Sequence, residues 1–379
     1  SKPISGVLHL IVYMGFIIIN IELLEIILDG LLGTHRLFAP YLGSFYNFLI
    51  GSFEILAAFV IFSVIFFWTR RNLIKIKRFW SPEMSGWPKR DADIILYFEI
   101  ILMSLFLSMN STDLLLQNLE SPNYLKAGSF PISRFLTPLF NSFTQDTLII
   151  FERTFWWLHI TGILIFLNYL YYSKHLHILL AFPNTFFANL DPKGKFNNNK
   201  MVYREVKQML EPNSDPYLTN DNNADQSKFG VSDVLDLNWI QLMNSYSCTE
   251  CGRCTTECPA NQTGKLLSPR KIMMDTRDRL EEVGRNISLN GSFKDDGNEL
   301  LDNYITKEEI WACTSCNACV EACPIGIDPL SIIMEMRQYL VLEQSSAPSD
   351  LNNMMNNIEN NGAPWPFNNQ DRLLWADDK

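Results

Sequence analysis

No cysteine precedes residue 248 or follows residue 323, and no histidine follows residue 177 in this chain of 379 residues. Thiols and imidazoles are thus confined to separate stretches, which points to two kinds of cofactor held in two places. A basic excess is also missing. The 31 Lys and Arg stand against 41 Asp and Glu, a formal net charge of −10, which argues against a nucleic-acid binder. Disorder is excluded, because 13% of the residues are aromatic. The mean hydropathy of +0.01 is that of an ordinary soluble protein, but it averages two unlike halves. Residues 1–190 have 13 basic and 12 acidic side chains, whereas residues 191–379 have 18 and 29.

The first half is rich in long apolar runs. Four of them, Val7–Leu28, Phe45–Trp68, Ile94–Leu116 and Thr147–Tyr171, have about twenty residues or more, enough to cross ~30 Å of hydrocarbon as helix. Short polar loops separate them, which favours membrane spans over the buried helices of a large soluble domain. The first run has no basic flank followed by a small-residue cleavage site, so it does not fit a signal peptide. Because the first residue is Ser rather than Met, a further upstream segment is expected. Arg70, Arg71, Lys75, Lys77, Arg78, Lys89 and Arg90 crowd the loop between the second and third runs, while the other two loops have three basic residues between them. Positive loops stay cytoplasmic. That loop, the start of the first span and everything after Tyr172 are therefore expected on the cytoplasmic side of a bacterial inner membrane.

The five histidines, His9, His35, His159, His175 and His177, lie at or near the ends of these runs. A neutral imidazole is an axial ligand for haem iron, and ligands of this kind converge inside helix bundles. Topology pairs His9 with His177 near the cytoplasmic face and His35 with His159 toward the other. The 18 residues from His159 to His177 span ~27 Å if helical, enough for two b-type haems. His35 requires the DGLLGTHR segment to turn back. His175 points away from His177 on a helix and reads as an interfacial residue. Glu22, Glu25 and Asp29 share one face of the first span; they either relay protons from a quinol or pair with Arg36 or Arg153 for structure alone.

Beyond Tyr172 the character changes. Residues 190–235 are rich in Asn, Asp, Pro, Gly and Lys, as in an exposed connector. Two runs follow with the spacing C-x2-C-x2-C-x3-C-P: Cys248, Cys251, Cys254 and Cys258, then Cys313, Cys316, Cys319 and Cys323. This is the bacterial ferredoxin spacing, in which the fourth cysteine ligates the other cluster. One [4Fe-4S] cluster is thus expected on Cys248, Cys251, Cys254 and Cys323, and a second on Cys313, Cys316, Cys319 and Cys258. Zinc sites use separated ligand pairs, and disulfides do not suit a cytoplasmic face. No thiol remains for catalysis.

Between the runs, LSPRKIMMDTRDRLEEVG predicts a helix capped by Ser268, with Pro269 in its first turn and Gly284 at its end. Another is expected to start at Pro329. The expected class is all-α: a transmembrane haem b bundle over 1–178, a linker over 179–238, an α-helical ferredoxin domain over 239–344 and an Asn-rich tail over 345–379. Trp365, Phe367 and Trp375 in that tail either dock a partner or pack back onto the ferredoxin domain.

With His9 at the head of a span, and His159 followed by YSKHLH at 172–177, the membrane half resembles two haem b subunits. These are the gamma subunit of respiratory nitrate reductase and the haem subunit of membrane-bound heterodisulfide reductase. The cysteine half is similar to the ferredoxin domain that precedes the CCG repeats of heterodisulfide-reductase-like Fe–S oxidoreductases. The resemblance implies electron transfer between membrane quinone and a cytoplasmic redox protein, through haem b and the clusters. The chain departs from that family in having no CCG repeat, and it has no G-x-G-x-x-G fingerprint. It is therefore expected to be a non-catalytic relay subunit in contact with lipid, its terminal chemistry lying on a separate CCG-type protein or electron-transfer flavoprotein. The competing expectation is a non-enzymatic membrane anchor whose Fe–S domain senses redox state or docks proteins. A transporter would want more spans and broken helices.

Overall fold

The computed structural model describes residues 3–192, 195, 200–210, 228–367, 371 and 373–377. Two compact units emerge, Ser1–Leu176 and His177–Lys379. No β-strand occurs among the described residues, so the all-α class holds.

The first unit is a bundle of long helices: α1 (Pro3–Leu32), α3 (Ser44–Asn72), α4 (Trp87–Asn118) and α5 (Gln145–Leu170), with a short α2 (Ala39–Leu42) after α1. All four long helices are long and apolar enough to cross a membrane. They outrun the hydrophobic windows because polar ends remain helical; Arg70 and Arg71 sit in the last turn of α3, where the helix dipole favours cations. The core is a seam along α3. Tyr46, Ile50, Phe53, Ala57, Val60 and Val64 recur every three or four residues and pack on Leu102, Met103, Phe106 and Leu107 of α4. Gly15 lets α1 approach this seam, since a Cβ there would stand 2.5 Å from Val60 Cγ2. Ile17, Ile21, Phe48, Phe59 and Phe62 are exposed on the outside of the bundle, as lipid-facing side chains must be.

α5 stops at Leu170. Buried Asp91 of α4 accepts the Tyr169 hydroxyl at 2.6 Å and the Lys174 backbone N–H at 3.0 Å, which captures the chain in a turn. Residues 159–177 are consequently not one helix, and the ~27 Å spacing expected from helical rise does not apply. The return of the chain toward His35 does form. α1 ends at Leu32, Gly33 takes φ +68°, and the Asp29 carboxylate accepts from Thr34 Oγ1, Arg36 N and Leu37 N at 2.6, 2.8 and 3.1 Å.

In the second unit, α6 (His177–Phe186) begins two residues before the stretch expected to be linker, and α7 (Lys200–Leu210) lies within it. Then come α8 (Trp239–Ser247), α9 (Arg253–Glu257), α10 (Pro259–Gln262), α11 (Pro269–Asn290), α12 (Lys307–Ala312), α13 (Ala318–Ala322) and α14 (Pro329–Leu342), and after these α15 (Ser349–Asn361) and α16 (Leu374–Asp377). Ser268 caps α11 by accepting from Lys271 N, but Gly284 does not end the helix. A Cβ at Gly284 would meet nothing, so this is an ordinary exposed helical position, and the stop falls at Gly291, whose φ of +80° terminates the helix. Fully buried Arg279 of α11 ties the unit together through Asp233 at 2.8 Å and Asp296 at 2.6 Å. Part of the Asn-rich tail is helical, and Trp365, Phe367 and Trp375 are exposed.

Candidate functional site

The two cysteine runs adopt one backbone design twice. In the first, Glu250 (φ +56°) and Gly252 (φ +70°) take left-handed conformations on either side of Cys251. In the second, Ser315 (φ +55°) and Asn317 (φ +60°) do the same around Cys316. This curl turns successive cysteines inward and aims a backbone N–H at the first sulfur of each run. Glu250 N donates to Cys248 Sγ and Ser315 N to Cys313 Sγ, both at 3.4 Å. A short helix then follows, α9 or α13, each closed by the fourth cysteine of its run, Cys258 or Cys323, with Pro next. α9 and α13 pack against each other, which brings the fourth cysteine of each run toward the loop of the other.

Electrostatics carry the same pattern. Burial pushes the Cys254 thiol up to about 12, and Cys251, Cys319 and Cys323 add to the shift. Cys319 is likewise pushed up to about 12 by burial, with Cys313, Asp328 and Cys258 contributing. Cys323 is raised by burial and by Cys251, and Cys313 by burial, Cys258 and Cys316. Cys323 therefore lies within reach of the first run and Cys258 within reach of the second. Thiols this basic are protonated at neutral pH, so iron binding releases protons. Among the described residues no three Cys, His, Asp or Glu side chains are gathered for a single metal ion.

Residues outside the motifs support the loops. The Glu250 carboxylate pairs with Arg277 of α11 at 2.9 Å. Arg337 of α14 donates to the Ile310 and Cys313 carbonyls and to Ser315 Oγ, with its guanidinium 5.0 Å from the Trp311 ring. Sequence reading missed both arginines, because nothing in their local spacing links them to a cysteine. Cys316 is exposed, whereas Cys248 and Cys258 are buried.

In the first unit, His159 is buried on α5 beside Phe106, the ring centroids 5.9 Å apart. Its Nδ1 lies 3.0 Å from the Leu102 carbonyl oxygen. A carbonyl only accepts, so Nδ1 carries the proton and Nε2 keeps the lone pair, the way a ligating histidine is held. An open cleft enclosing about 650 Å³ is lined by His159, Glu22, Glu99, Gly15 and Phe166. A second cleft of about 390 Å³ contains Glu22, Glu25, Asp29 and His35. His35 packs on Tyr124 at 4.8 Å with Nε2 3.6 Å from Asp113, and burial holds its pKa below the ordinary value. His9 is exposed on α1, and His177 opens α6 in the other unit.

The three acids of α1 part company. Asp29 holds the turn to Arg36, and Glu25 accepts from Phe38 N and the Tyr46 hydroxyl, each at 2.8 Å. Glu22 borders both clefts and is buried, with Oε2 lacking a hydrogen-bond partner among the described residues.

Residues 247–327 match the model of the 4Fe-4S dicluster domain. Over 99% of its length the chain is 28% identical to a probable iron-sulfur-binding oxidoreductase, FadF, of Bacillus subtilis, covering 52% of that protein. It is 27% identical to the EtfAB:quinone oxidoreductase of Syntrophomonas wolfei, over 100% of this chain and 52% of the relative. A third relative is a polypeptide of the ferredoxin/F(420)H(2)-dependent CoB-CoM heterodisulfide reductase of Methanosarcina acetivorans, 31% identical over 31% of this chain and 58% of that polypeptide. The chain spans about half the length of the first two relatives. No solved structure matches it significantly. The expected likeness to heterodisulfide-reductase-like iron–sulfur oxidoreductases is thereby found in the relatives.

Proposed function

We propose that the chain is the membrane-anchored electron-transfer portion of a quinone-linked oxidoreductase, joining b-type haem and quinone in its helical bundle to two [4Fe-4S] clusters facing the cytoplasm. The observation that carries it is the union, in one chain, of a dicluster ferredoxin domain with four spans that bury a histidine at a cleft. When bound, each cubane takes up and returns a single electron. Cys248, Cys251, Cys254 and Cys323 hold one, and Cys313, Cys316, Cys319 and Cys258 the other. The Glu250 and Ser315 N–H groups stabilise thiolate charge in each. Arg337 adds a positive charge beside the second run, and exposed Cys316 makes that run the edge a redox partner would meet. The EtfAB:quinone oxidoreductase supports an electron-transfer flavoprotein as that partner, and a CCG-type protein is the alternative that the sequence resemblance implies.

In the bundle, His159 would hold haem iron through Nε2, with His35 as its proposed partner; His9 and His177 are proposed ligands on topology alone. Of the three acids, Glu22 is the one left to accept a proton near the clefts, since Glu25 and Asp29 hold backbone. Pyridine haemochrome analysis of purified protein is expected to find b-type haem beside the iron of two clusters, and a short-chain quinol to reduce it. His159→Ala is expected to lose at least half of that haem with iron content unchanged. Wild-type protein without haem would sink this proposal in favour of the membrane anchor.

A further inference from the structure

The two cysteine runs are alike in backbone but not in charge. Two places after the first cysteine of each stands a left-handed residue, Glu250 in one run and Ser315 in the other. Its N–H donates to the first sulfur at 3.4 Å in both. Each run also meets an arginine from the longer helix that follows it. Arg277 stands eight residues after Pro269, which opens α11, and Arg337 eight residues after Pro329, which opens α14. The Arg277 guanidinium reaches the Glu250 carboxylate at 2.9 Å, and that of Arg337 reaches Ser315 Oγ at 3.2 Å. One arrangement is thus built twice, with an acid at the loop position in one copy and a hydroxyl in the other.

This difference changes the local charge. Glu250 is 2% exposed, so solvent screens its carboxylate little, and it offsets the charge of Arg277. Exposed Asp278 pairs with the same guanidinium at 3.2 Å, and buried Arg270 has its Nη1 3.5 Å from the Glu250 carbonyl oxygen. The charges of these four groups balance. Arg337 instead donates to the Ile310 carbonyl at 2.8 Å, the Cys313 carbonyl at 2.5 Å and Ser315 Oγ, and none of these acceptors is charged. Asp328, the acid near the second run, accepts from Ser331 N at 3.0 Å as the N-cap of α14, where the positive end of the helix dipole offsets it. Reduction adds one negative charge to a cubane, and a positive charge nearby stabilises that state.

We propose that the residue two places after the first cysteine sets the two clusters apart: Glu250 holds the first at the lower reduction potential, and Ser315, by leaving Arg337 uncompensated, makes the second cluster the first to take an electron. The added electron then rests on the run whose Cys316 is exposed. Glu250 and Ser315 are positioning residues, since neither side chain ligates iron. This rests on the proposed placing of a [4Fe-4S] cluster at each run, whichever run supplies the fourth thiolate.

The test is an EPR-monitored redox titration of the full-length protein with both clusters assembled, comparing wild type, Glu250→Gln and Ser315→Asp. Glu250→Gln removes the charge at nearly the same size, and Asp is tolerated at a left-handed position such as that of Ser315. Wild type is expected to show two separate couples. Glu250→Gln is expected to shift the lower one ~3- to 10-fold toward the reduced form, up to ~59 mV upward for a one-electron couple. Ser315→Asp is expected to shift the higher one downward by a similar factor. Each variant thus narrows the gap by moving a different couple. Coincident couples in wild type, a gap that widens in both variants, or couples unmoved in both would each overturn the proposal. Loss of the first cluster's iron in Glu250→Gln, with potentials unmoved in Ser315→Asp, marks a purely structural ion pair and would overturn it too. Wild-type iron short of two cubanes would sink the reading of the runs as cluster sites, a failure visible before any variant is made.

Discussion

Cys258→Ala is expected to abolish the cluster built on the second cysteine run, Cys313, Cys316 and Cys319, while the first run keeps its own. Cys258 belongs to the first run in sequence, so a run-by-run view predicts the opposite casualty. The physical ground is the end of α9. The first two cysteines of each run lie on a curled loop, the third lies in the first turn of the short helix that follows, and the fourth closes that helix. With α9 packed on α13, Cys258 comes within electrostatic reach of Cys313 and Cys319, and Cys323 within reach of Cys251 and Cys254. A thiolate lost from one iron leaves the cubane open to solvent, and the expected loss is about half of the protein's cluster iron. EPR of the reduced variant settles the matter, because the two runs differ in their surroundings. Arg337 touches the second run alone, so its Arg337→Leu signature identifies which signal belongs to it. Survival of that signal in Cys258→Ala, with loss of the other, would overturn the crossed ligand sets.

Arg36→Met is expected to destabilise the helical bundle by about 3–5 kcal/mol, the usual result of stranding one buried charge. Arg36 is 6% exposed and Asp113 of α4 is 1% exposed, with guanidinium and carboxylate 2.6 Å apart. The same guanidinium donates to the Tyr46 hydroxyl at 3.0 Å and to Asn110 Oδ1 at 3.1 Å, and it stands 5.1 Å from the Phe130 ring. Asn110 in turn donates to Glu54, whose other carboxylate oxygen accepts from Ile132 N and Ser133 N. One cation thus joins the turn after α1 to α3, α4 and the loop before α5. Removing it leaves the buried Asp113 carboxylate with the Gln117 amide at 3.3 Å and His35 Nε2 at 3.6 Å in place of a full positive charge. Removing both charges is different: the double replacement Arg36→Met with Asp113→Leu is expected to regain more than half of the loss, since a paired charge costs its desolvation in the first place. Detergent-titrated unfolding of the bundle in micelles measures both. A single variant within about 1 kcal/mol of wild type would mean that water reaches the pair.

Much of this organisation is legible in the residues taken in order. Span positions follow from runs of about twenty apolar side chains, and the structure extends those helices into their polar ends without moving them. The dicluster motif is legible for a related reason. A spacing of 2-2-3 residues limits where each sulfur can go, and the matching residues 247–327 are those that the two runs bracket. Caps are legible where their partners are three residues away, as with Ser268 and Lys271. Gly284 misleads because local propensity is weak: an exposed glycine costs a helix only ~1 kcal/mol, which the packing of a 22-residue helix overrides. The break after Leu170 is hidden for another reason. Asp91, the residue that makes it, lies 78 residues before Tyr169 and reveals nothing of its partner in its own neighbourhood.

The same division runs through the functional site. The sequence by itself determined the ligand types, their spacing, the membrane crossings and the segregation of histidine from cysteine, because each depends on covalent neighbours or on the transfer free energy of one continuous segment. Only the tertiary structure decided that Arg277 neutralises Glu250, that Arg337 supports the second loop and that Glu22 alone among three acids borders both clefts. Each of these joins segments far apart in the chain, or depends on which partner reaches a side chain first. A buried polar group takes whichever partner the packing brings within about 3 Å, and packing is a property of the whole fold.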